Sequence, residues 1–108
     1  MRLVRLLQGY LWAPKALGFD PRTLPDKLGE DPALYLALDR VEPPFAFFDD
    51  GTPTATQDFY QLTVLVKTEE DPKTLAPLAR QAARALEPSL EALPQGVGWM
   101  IFEDLREV

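Results

Sequence analysis

In FYQLTVLVKT, residues 59–68, Tyr60, Leu62, Val64 and Val66 alternate against Gln61, Thr63 and Lys67. A period of two with β-branched and aromatic residues marks a strand with one buried and one wetted face. Before it, Thr52 to Asp58 is a polar, threonine-rich loop, and Phe45 to Phe48 predicts a short strand between Pro43-Pro44 and Asp49-Asp50-Gly51. The leading prolines suit a sheet edge or a strand start. Asp50-Gly51 alone would signal a tight hairpin, but the polar stretch beyond it argues for a longer loop. Ala33 to Leu38 fits either a buried strand or one turn of helix capped by Asp31 with Pro32 in first position; we read it as a strand.

Following the strong strand, Glu69, Glu70 and Asp71 precede a predicted helix. With Thr74 as cap, Pro77 occupies the third helical position, where its missing amide costs nothing. Leu75, Leu78, Ala79, Ala82 and Leu86 then form a buried stripe, and Pro88 is expected to end the helix. Leu90 and Leu93 lead to Pro94 and Gly96, and Val97 to Phe102 predicts a closing strand with Trp99 and Ile101 on one face.

At the other end, Leu3, Leu6, Leu7, Tyr10 and Leu11 recur at helical spacing, which predicts a first helix to Trp12, closed by Pro14. Pro21, Pro25 and Pro32 with Gly18 and Gly29 punctuate the next stretch too densely for a regular element. This proline-rich arm, about 13–32, is pinned by Phe19, Leu24 and Leu28 to its own core or to a neighbour. The expected class is α+β: one domain over 1–108, with an antiparallel or mixed sheet of three to four strands against two helices, in the order α-β-β-β-α-β.

The chain has 108 residues, 46% of them hydrophobic, enough for one core without disulfide or metal staples. Cysteine and histidine are both absent. That removes thiolate chemistry, the commonest general base near neutral pH and the commonest transition-metal ligand. The one serine, Ser89, has no base and orienting group to activate it. Catalytic, cofactor-binding and metal-binding residues are all read as none. Absent asparagine and 11 prolines suit a thermophilic source.

A net charge of -6 argues against binding phosphates by neutralising them. The charge is uneven, with Arg2, Arg5, Lys15 and Arg22 clustered in a basic opening and an acidic body after it, a pattern that suggests contact between unlike faces. Asp49-Asp50, Glu69-Glu70-Asp71 and Glu103-Asp104 lack metal-ligand spacing and read as solvated turns and helix-start charges. Gly96-Val97-Gly98 is too short for a nucleotide-binding fingerprint. Gln8 and Gly9 interrupt the apolar opening, so no export signal is expected, and no run is long enough for a membrane helix.

From Glu42 to Val108 the succession PPFAFF, YQLTVLV and LAPLARQAARAL resembles the tail terminator and tail-completion proteins of long-tailed bacteriophages, and an opening amphipathic helix is what that resemblance leads one to expect. It implies a non-catalytic virion protein that assembles with itself into a ring of about six copies. The ring would cap the tail tube and meet the tube protein and a head-completion protein, with DNA passing through but not bound specifically. Interface residues expected on this view are Arg2, Arg5, Phe19, Arg22, Pro43, Pro44, Asp49, Asp50, Thr52, Thr54, Thr56 and Asp58. The alternative is a small regulatory or small-molecule-binding α+β module with Trp99, Phe45 and Phe47 lining a pocket.

Overall fold

The computed structural model describes residues 1–28, 33–42 and 56–108. The strand expected at Phe45 to Phe48, and Pro43, Pro44, Asp49, Asp50, Thr52 and Thr54, lie outside them. Four strands, β1 (Arg2–Pro14), β2 (Leu34–Val41), β3 (Gln57–Thr68) and β4 (Gly98–Glu107), form one antiparallel sheet in the order β2-β3-β1-β4. One α-helix, α1 (Ala76–Glu91), connects β3 to β4. The class is α+β. Because β3 and β4 are both antiparallel to β1, they run parallel to each other, and β3-α1-β4 is a split βαβ unit with β1 between its strands.

The opening segment is a strand, not a helix, so the expected two-helix order is corrected to one that starts with a strand. A β-bulge explains the misreading. The register with β3 shifts between Arg5 and Leu7, leaving Leu6 as the extra residue. The buried positions are Val4 before the bulge, the adjacent Leu6 and Leu7 at it, and Leu11 and Ala13 after it. Two neighbouring buried leucines break the period of two, and Tyr10 of the other face beside buried Leu11 completes a spacing that mimics one stripe of a helix.

β3 sits between β1 and β2, and Tyr60, Leu62, Val64 and Val66 are its buried row, as alternation predicts. α1 lays Leu75, Ala79, Ala82, Leu86 and Leu90 on the same core. Burying leucines of this kind stabilises by roughly 2 kcal/mol each. The helix begins at Ala76 with Pro77 in its first turn, and Leu75 rather than Thr74 stands at its cap position without a side-chain capping bond; Asp71 instead caps a separate 3-10 turn over Pro72–Thr74, its carboxylate accepting from the Lys73 amide at 2.9 Å. Nor does Pro88 end it. The helix runs on to Glu91, with Pro88 on its exposed side and Leu90 fully buried, so the gain from Leu90 outweighs the lost helical hydrogen bond.

The arm packs on its own chain. It forms 3-10 turns over Lys15–Leu17 and Pro21–Thr23, buries Leu24 and Leu28 in the core, and sets Phe19 edge-on against Tyr60 with ring centroids 6.1 Å apart. It takes the place that a first helix fills in a complete β-α-β-β-α-β motif. The helix and the arm's leucines thus lie on one face of the sheet. The other face carries Gln8, Tyr10 and Trp12 of β1, Gln61 and Thr63 of β3, and Met100 and Phe102 of β4. Among the described residues, no helix is long and apolar enough to cross a membrane.

Candidate functional site

Among the described residues, those expected at an interface, Arg2, Arg5, Phe19, Arg22, Thr56 and Asp58, do not converge. Arg2 and Arg5 lie at the start of β1, whereas Asp58 lies at the far end of its partner strand, paired in register with Ala13. The basic opening is answered within the chain: the Met1 amino group meets Glu69 at 3.2 Å, and Arg2 donates to the Glu70 carbonyl at 3.3 Å. Arg5 pairs with Asp104 at 2.7 Å, both about four-fifths buried, although Arg5 Nε is buried without a partner. Arg22 grips Asp20 through its guanidinium and its backbone amide, which holds that carboxyl below its ordinary range. Arg40 pairs with Asp58. Thr56 is exposed just ahead of β3. Met1, Arg2 and Arg5 of the basic opening therefore meet groups of the acidic body inside one molecule, while Arg22 pairs within the arm.

The acidic clusters among the described residues are engaged in the same way, Glu69 by the amino terminus, Asp71 by a 3-10 turn and Asp104 by Arg5. No three acidic side chains among the described residues come together as a metal site.

What the fold builds instead is an unequal pair of sheet edges. A free edge strand presents unpaired N–H and C=O groups to any strand that approaches, and natural proteins usually guard it. The β2 edge is guarded by the arm: Lys27 forms a bridge to Tyr35, and the Leu36 amide donates to the Asp26 carbonyl at 2.8 Å. The β4 edge has no such cover among the described residues. Its second half is guarded by charge, with Glu103, Asp104, Arg106 and Glu107. Its first half, Gly98-Trp99-Met100-Ile101-Phe102, has none.

That uncharged run is apolar on both faces. Trp99 and Ile101 pack partly on the core, while Met100 and Phe102 are 42% and 41% exposed. The close seat of β4 on β1 depends on two glycines. A side chain at Gly9 would stand 2.1 Å from the Met100 carbonyl oxygen, and one at Gly98 would stand 2.2 Å from the ring of Trp12, which covers it. Beside the strand, a groove of about 180 Å³ opens between Ala79 and Ala83 of α1 and Ile101 of β4. Small-molecule sites run to roughly 300 Å³ and more, so this groove suits a side chain better than a cofactor.

With this edge described, comparison with known families places the molecule. A family model described as "Protein of unknown function (DUF3208)" matches residues 1–108. The chain belongs to this family. No curated protein matches it. The family match spans the open edge as well as the core, so the edge is part of the DUF3208 domain.

Met100 and Phe102 are exposed on this edge and are not among the interface residues expected from the sequence, although a signal was present. A terminal strand with large apolar residues on both faces must be either central in a sheet or in contact with something else.

Proposed function

We propose that the protein is a non-catalytic binding module that joins another protein by accepting a strand at β4. The observation that carries this reading is the asymmetry of the edges: β2 is covered by the chain's own arm, whereas Gly98 to Phe102 offers an uncharged, open backbone with Met100 and Phe102 exposed. Strand addition takes affinity from backbone hydrogen bonds and specificity from alternate side chains, and the groove beside Ile101 would receive one such side chain. The absence of histidine and cysteine from the whole chain favours binding over catalysis.

The phage-tail ring is a narrower form of the same reading, with the tail tube and head-completion proteins as neighbours. It shares the need for strand edges that meet other subunits, but it loses the opening helix on which the resemblance partly rested.

A photo-cross-linking residue tests the module in its native cell. Placed at Met100 it should form protein adducts, while the same residue at exposed Gln81 on α1 should form few. Adducts absent at Met100, or equal at both positions, would remove β4 as the binding element.

A further inference from the structure

Resting on the reading of β4 as a strand acceptor, we propose that the strand it accepts is β4 of a second copy of this chain. The two strands would pair antiparallel about a twofold axis at Met100 and make one continuous sheet across the dimer.

The register follows from the side chains. In antiparallel strands, residues facing each other share a face of the sheet, and the uncharged run Gly98 to Phe102 is centred on Met100. With the axis there, Met100 meets Met100 of the second copy, Trp99 meets its Ile101, and Gly98 meets its Phe102. An aromatic ring across from an edge glycine is a favourable cross-strand pair, and here it would extend the row begun by Trp12 over Gly98. All four charged residues of β4 stay outside the paired run in both copies. Moving the axis to Ile101 would set Trp99 against Glu103 and Gly98 against Asp104, and moving it to Phe102 would set Met100 against Asp104.

Backbone geometry agrees. The Met100 carbonyl lies against Gly9 of β1. Backbone groups of successive residues in a strand point to opposite sides, so those of Trp99 and Ile101 face outward. Trp99 and Ile101 of the second copy then supply the hydrogen-bonded pairs, and the two Met100 residues form a non-hydrogen-bonded pair, whose side chains lie closest.

The groove supplies a second, self-complementary contact. In this register the outer side of Trp99 arrives beside Ile101 of the second copy, at the mouth of the space between Ala79, Ala83 and Leu7. Arg80 and Glu87 stand on the rim of that groove, one of each sign, as an isologous contact can use. Each copy carries a charge of -6, so long-range repulsion opposes the dimer, and added salt should strengthen it by screening. A partner of opposite charge would show the reverse.

The natural absence of cysteine makes the test clean. The full chain should sediment as a dimer at micromolar concentration, more so at higher salt. Met100→Lys should be monomeric yet folded by circular dichroism, because the position is exposed, and Met100→Leu should remain dimeric. Under mild oxidation Met100→Cys should cross-link to itself. Phe102→Cys should do so at least about tenfold more slowly, because two thiols offset by four strand residues lie beyond disulfide reach. A chain that stays monomeric to millimolar concentration overturns the proposal, and so does faster cross-linking at position 102 than at 100. A monomeric chain whose Met100 cross-links to a different protein in cells would overturn the dimer while leaving strand addition at β4 standing.

Discussion

Val64→Asp should leave no folded protein at room temperature. Val64 is fully buried in β3, paired with Leu7 of β1 on one side and Leu36 of β2 on the other, and it lies in the core that α1 covers. A carboxylate there has no partner, since among the described residues no polar or charged one is buried in the core. An unpaired buried charge ranks among the most damaging single changes, costing roughly 4 kcal/mol or more. Domains of this size have about 5–15 kcal/mol in total. Leu62→Ala, two residues earlier on the same face, should cost about 3 kcal/mol through a cavity alone and still fold. Circular dichroism and urea titration of both variants check this. A cooperatively folded Val64→Asp protein would mean that the core at β3 admits water.

The second large effect belongs to a residue with no side chain. Gly9→Ala would place a methyl group 2.1 Å from the Met100 carbonyl oxygen and 3.0 Å from the Ile101 Cα, and backbone atoms cannot swing aside as a flexible side chain can. β1 and β4 must then part. Since β4 is paired to the sheet through β1 alone, the expected loss is about 3 kcal/mol or more, at the upper end for overpacking. Gly18→Ala is the control. Gly18 has a φ of 63° but open space around it, so the cost there should be backbone strain of roughly 1 kcal/mol. Equal melting temperatures for the two variants would show that the close approach at Gly9 can relax.

These two positions also show what could be read from the sequence. β3 was legible because apolar and polar residues alternate from Tyr60 to Val64, and α1 because Leu75, Ala79, Ala82 and Leu86 keep one stripe. β1 was not, because the bulge at Leu6 rewrites its spacing and Gly9 hides a core-facing position behind a residue with no side chain. The end of α1 was missed because Pro88 lies on the exposed side, where burial of Leu90 two residues later overrides its cost. The charged residues expected at an interface are a different case. Charge along the chain singled out Arg2, Arg5 and Arg22, but whether a charge is free depends on what the fold brings beside it, and Asp104 is ninety-nine residues from Arg5 in sequence. Edge position is equally non-local: nothing within Gly98 to Phe102 says that β4 is the last strand of the sheet.

Amide hydrogen exchange at Trp99 and Ile101 reports on the open edge of β4 itself. In dilute protein these two outward-facing amides should exchange quickly while neighbours bonded to β1 remain protected. At high concentration they should become protected as the second copy pairs with them, with Tyr35 and Leu36 on the covered β2 edge unchanged. Protection of Trp99 and Ile101 already complete in the dilute monomer, or fast exchange at every concentration, would contradict the account.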